Sequence, residues 1–210
     1  MIIPILIGII RLQRLTLPQK LIWYLMIYTL VTELLSMWYI DFYDAPIETK
    51  NNLPIFHSYS YLEYGVVAFI FYKKAKILTW RKTILALSIF YYAFSIINVL
   101  NWESIWEFNS NQRFVEAILI FIVLVGFFVQ LLRNVEDVYF ERNPYFWLST
   151  GYFIYFAGTL FVFLFEKKFT EYAIAMPKEE YIDYHGYIHG VIFILLILHY
   201  SMFLWLKEKN

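Results

Sequence analysis

Six apolar runs of about 20 residues, at 21–40, 54–72, 83–102, 114–132, 145–165 and 187–206, leave this chain little choice of solvent. Each can cross the roughly 30 Å hydrocarbon core of a bilayer as a helix. Hydrocarbon offers no partner to backbone N–H and C=O groups, so only helices or closed barrels can span it. None of the runs alternates in the manner of a barrel strand. A seventh segment, "MIIPILIGII", is shorter. Ten residues at about 1.5 Å each reach about halfway across. It crosses only if the helix runs on to Leu17 with Arg11 and Arg14 snorkelling to the headgroups. With no positive region before it and no small-residue cleavage site after it, a short first helix is expected rather than a signal peptide. The expected fold is all-α: one integral membrane domain over 1–210, a polytopic helical bundle of seven transmembrane helices with a first span at 1–17.

Composition agrees with this reading. The chain is 61% hydrophobic and 22% aromatic against 16% charged, far more apolar than a soluble domain. Its formal net charge is zero, which gives no reason to expect a nucleic-acid partner. It has no cysteine, so disulfides and thiolate chemistry are excluded.

Charge is informative through its distribution. Twelve of the 17 Lys and Arg fall at alternate ends of the runs: at 11–20, 73–82, 133–142 and 207–209. The opposite connections hold five: Lys50, Arg113, Lys167, Lys168 and Lys178. The positive-inside rule then places the C-terminus in the cytoplasm, and seven spans place the N-terminus outside. A bacterial cytoplasmic membrane is the expected location. The loops "DFYDAPIETKNN" and "EKKFTEYAIAMPKEEYIDY" would face the exterior. No nucleotide-binding loop or soluble output domain is legible, so any signal sent inward would need a membrane or cytoplasmic protein partner.

Ionisable side chains within spans are costly and usually face a bundle interior or a cavity. Here they gather at one depth, the outer half. Glu33 lies in the second span, His57 and Glu63 in the third, Arg113 and Glu116 at the start of the fifth, and His185 and His189 at the start of the seventh. His185 and His189, in "DYHGYIHGV", are four apart and share a helix face. That spacing suits two imidazoles on one zinc ion, which needs further ligands. His57 is the natural third, with Glu63 or Glu33 placed to position or deprotonate a water. The pair equally suits two interfacial histidines bonded to tyrosines and carbonyls. His57 and Glu63 are six apart, about 120° around a regular helix, so they do not both aim at one small site. Arg113 and Glu116 are three apart and can pair, either as an anchor or as a site for an anionic substrate group. His199, Gln130 and Asn98 lie at unrelated depths and make no obvious proton path. Gly151 and Gly158 share one face of the sixth span and permit a close helix neighbour.

The segments "FHSYSYLE", "RFVEAIL", "FWLSTGYFIYFAGTLF" and "YIHGV" resemble small, uncharacterised seven-helix bacterial inner-membrane proteins. At the level of one motif, the pair His185 and His189 is similar to that of the seven-helix membrane hydrolases that include alkaline ceramidases and adiponectin receptors. That resemblance implies zinc held by the pair together with His57; the Ser-x-x-x-His pattern those proteins carry at the end of the second span is absent. The expected function is a metal-dependent hydrolase of membrane lipid amides or esters. Its alternatives are a non-enzymatic sensor or accessory subunit and a proton-coupled carrier or channel.

Overall fold

A computed structural model describes residues 1–42, 53–133, 140–175 and 184–207. Among them all regular structure is helical, as the apolar runs require. The helices are α1 (Ile2–Arg11), α2 (Leu17–Phe42), α3 (Leu53–Lys74), α4 (Leu78–Asn101), α5 (Ser110–Arg133), α6 (Pro144–Ala175) and α7 (Tyr184–Trp205), with 3-10 turns at Leu12–Arg14 and Phe140–Arg142. By length and composition, α4, α5 and the 187–205 part of α7 can each cross a membrane.

The other helices depart from the runs in ways the local sequence explains. Residues 166–175 of the expected exterior loop continue α6, since no Gly or Pro interrupts the chain between Gly158 and Pro177. The expected run of α1 to Leu17 is not found. The helix gives way to a 3-10 turn, and Leu15 is extended with φ −72° and ψ 133°. At ten residues, α1 is about 15 Å long. The loop 43–52 and residues 176–183 lie outside the described residues.

Neighbouring helices pack in the order α2, α3, α5, α6, α7, with α7 returning to α2. This ring encloses the polar residues of five helices. α4 lies outside it, against α3 and α5, and α1 lies against α7 and α2. The exposed face of α4 is apolar, with Leu85, Ile89, Phe90, Ile96 and Leu100 between 53% and 75% exposed. A contiguous band of this kind marks a lipid-facing surface.

The most extensive seam joins α6 to α7. A Cβ on Gly151 would lie 2.5 Å from Cβ of His199, and one on Gly158 would lie 2.6 Å from Cδ1 of Ile192. Both glycines sit on the α7 side of α6, so the shared face expected from their spacing is the face that packs. The core elsewhere is aromatic. Tyr64 and Tyr91 are fully buried and stack with ring centroids 4.0 Å apart.

Candidate functional site

Consecutive residues of α5 separate two polar networks. Successive side chains on a helix point about 100° apart, so Gln112 and Arg113, both buried, face different neighbours. Gln112 meets α3 and α4: its amide nitrogen donates to Tyr91 Oη at 3.2 Å, and its oxygen faces His57 Nδ1 at 3.2 Å. The other nitrogen of His57, Nε2, is 3.0 Å from the carbonyl oxygen of Glu107. A backbone carbonyl and an amide oxygen both only accept, so each ring nitrogen of His57 faces an acceptor. His57 is 3% exposed and spends both ring nitrogens on protein groups.

Arg113 points into the ring. Its Nη1 donates to Glu63 Oε2 at 2.7 Å and to Glu116 Oε2 at 2.9 Å, and its Nη2 donates to Tyr155 Oη at 3.1 Å. Tyr59 Oη donates to the other oxygen of Glu63 at 2.9 Å. Tyr155 Oη lies 3.2 Å from His189 Nε2. Arginine can only donate, so Tyr155 Oη accepts from it and bridges Arg113 to the imidazole. Glu63, Arg113, Tyr155 and His189 thus bind α3, α5, α6 and α7 at one point.

Among the described residues, charge in this cluster does not balance. One guanidinium faces two buried carboxylates, and Glu116 Oε1 is buried without a hydrogen-bond partner. With both carboxylates ionised the cluster carries one unit of negative charge. A proton, or a cationic group close by, neutralises it.

Arg113, Tyr155 and His189 also form part of the wall of a cavity of about 470 Å³ between α2, α3, α5, α6 and α7. Glu33, Tyr59, Ser60 and Asn109 add polar groups, and Leu53, Phe56, Phe108, Val162 and Phe193 add apolar ones. Thr29 and Thr32 turn their hydroxyls to carbonyls of their own helix, at Leu25 and Thr29, which presents their methyl groups. The cavity is amphipathic, with Glu33 from α2 and Arg113 from α5 as its charged groups.

The structure sorts the expected site residues into three groups. Glu63, Arg113, Glu116 and His189 belong to one connected cluster, and Glu33 shares the cavity with Arg113 and His189. His57 stands in the neighbouring network. The side chain of His185 lies outside the described residues, although its backbone opens α7. Among the described residues no three His, Asp or Glu side chains converge as ligands for one metal ion. Ser60 does not bridge His57 and Glu63; its hydroxyl donates to the Phe56 carbonyl and accepts from Asn109. Asn98 donates to Glu103, whose carboxylate receives the N–H of Asn111 in the first turn of α5. Gln130 and His199 are held locally by the Gly126 and Leu195 carbonyls, so no chain links the three polar residues.

Tyr59, Tyr155 and Gln112 were not legible as site residues. The signal for Gln112 was its place beside Arg113 at the end of the polar stretch 109–113, just before the apolar run begins. The two tyrosines were hidden among 19. Compared with protein-family models, with curated proteins and with solved structures, the chain finds no significant match, and its site is read from geometry alone.

Proposed function

We propose that this chain is a multi-pass protein of the bacterial cytoplasmic membrane that binds an amphiphile with a cationic head, acting as a sensor or accessory subunit for a protein partner. Seven membrane helices, the first about half a bilayer long, carry the basic ends of the bundle to the cytoplasm and the cavity to the outer half. The observation that carries this reading is Arg113 on the cavity wall, joined directly to α3 and α6 and through Tyr155 to α7. A ligand that changes this point changes how four helices pack, and packing is what a partner can read. The preference for a cationic head follows from charge. Among the described residues, the cavity lining carries Glu33 as well as an Arg113 whose charge is already exceeded by Glu63 and Glu116.

A long-chain alkylamine and the fatty acid of equal length, each added to protein in nanodiscs, test the reading. The amine is expected to raise the unfolding temperature by several degrees through preferential binding to the folded state. Glu33→Gln should weaken that effect, and Val162→Trp, which fills the cavity without touching the cluster, should abolish it. Equal stabilisation by the fatty acid would overturn the assignment.

The hydrolytic reading retains one favourable observation: Glu33 and His189, a carboxylate and an imidazole, both line the cavity. It requires zinc, and His57 would have to leave Gln112 or the Glu107 carbonyl to bind it. Stoichiometric zinc in the purified protein, lost in His189→Ala, would favour it over the sensor.

A further inference from the structure

At the other end of the bundle, the last turn of α1, the 3-10 turn and the end of α7 surround a groove of about 750 Å³. Arg11, Arg14 and Lys207 line it, with Trp205 at its side. Arg11 Nη1 donates to the Leu204 carbonyl at 3.1 Å, and the guanidinium lies 5.5 Å from the centre of the Trp205 ring. One bond and one ring contact fix this guanidinium while its other N–H groups stay available. The only ion pairs between described residues are those of Arg113 with Glu63 and Glu116. The groove is therefore a cluster of three cations with no carboxylate answering them among the described residues.

The apolar surface beside the groove indicates what kind of anion fits. Ile2, Ile3, Leu6, Ile9 and Ile10 are 52–78% exposed and recur at the spacing of one helical stripe. The opposite face of α1, with Pro4 and Gly8, is buried. The stripe leads to Ile9 and Ile10, which themselves line the groove. A free inorganic anion would use the cations and leave the stripe bare, whereas a phospholipid uses both. Trp205, 59% exposed, is suited to the headgroup level.

We propose that this groove is a binding site for an anionic phospholipid, with the phosphate among Arg11, Arg14 and Lys207 and an acyl chain along the apolar stripe of α1. The lipid then joins α1 to the end of α7 as a third element of that contact.

Native mass spectrometry of the full chain, released from detergent with phosphatidylglycerol or phosphatidylcholine of identical chains, tests this. The wild type should retain phosphatidylglycerol in preference. Arg14→Gln with Lys207→Gln should lower that preference about five-fold per cation, roughly 25-fold for the pair, whereas Arg14→Lys with Lys207→Arg should keep it. Both double variants should unfold at the wild-type temperature, because neither side chain makes a bond to another described residue. Equal retention of the two lipids by the wild type, an unchanged preference in the glutamine variant, or displacement of the lipid by millimolar inorganic phosphate would each overturn the proposal.

Discussion

The two ends of the bundle use arginine in opposite ways. At one end Arg113 is buried, meets two carboxylates within 2.9 Å and serves as a common partner for other helices. At the other, Arg11 touches a carbonyl and a ring, and Arg14 and Lys207 meet no carboxylate among the described residues. The difference lies in the neighbours rather than in the side chain. A guanidinium deep in a bundle must bring its counter-charges with it, because removing one buried partner strands the other. Near the membrane surface, water and lipid headgroups can complete the charge.

The largest effect expected from that comparison comes from Arg113→Ala. It leaves Glu63 and Glu116 buried without their cation and should cost about 3–5 kcal/mol, read as loss of folded protein or a sharp fall in unfolding temperature in detergent. A mild phenotype would mean that the cluster is wetter than its burial implies. Next, Glu63→Gln and Glu116→Gln should differ. Glu63 serves both Arg113 and Tyr59, so its substitution should cost roughly 1–3 kcal/mol. Glu116 contributes one bond and one unpartnered oxygen, so its neutral replacement should fall within about 1 kcal/mol of wild type. Equal losses would mean that the charge in the cluster balances after all. Tyr155→Phe keeps the ring and removes the hydroxyl between Arg113 and His189. It should cost about 1 kcal/mol and uncouple the chemical shifts of the His189 ring from substitutions at Glu116. The smallest effect belongs to the basic end, where Arg14→Gln with Lys207→Gln should alter stability in lipid-free detergent by less than about 0.5 kcal/mol.

How far the sequence carried depended on whether a signal was local. Helix type and the membrane-compatible runs of α4, α5 and α7 follow from uninterrupted apolar stretches, and the Arg113–Glu116 pair follows from an i,i+3 spacing. Glu63 has its cation 50 residues away, so no spacing rule could join them. Tyr155 belongs to a run rich in tyrosine and phenylalanine, where nothing local marks the one phenol that faces an arginine. His57 shows the converse difficulty. A histidine near other ionisable groups suggests a ligand, but the Gln112 side chain and the Glu107 carbonyl that occupy its nitrogens become visible only when α3 and α5 are placed side by side. The end of α1 was misjudged because leucines recur at 12, 15 and 17 among the polar residues, while the backbone turns after Arg11. Hydrophobicity identifies what may enter lipid and says little about where a helix stops.

The glycine seam between α6 and α7 reaches further than packing. Gly151, Tyr155 and Gly158 are four and three residues apart, so the phenol projects from the same face of α6, one turn from each glycine. The missing side chains act as a spacer of zero thickness, and they set how far the Tyr155 hydroxyl must reach to touch the imidazole of His189. Alanine at either glycine would therefore work as a shim: it would hold α7 away from α6 and stretch that hydroxyl–imidazole contact while leaving every polar residue in place.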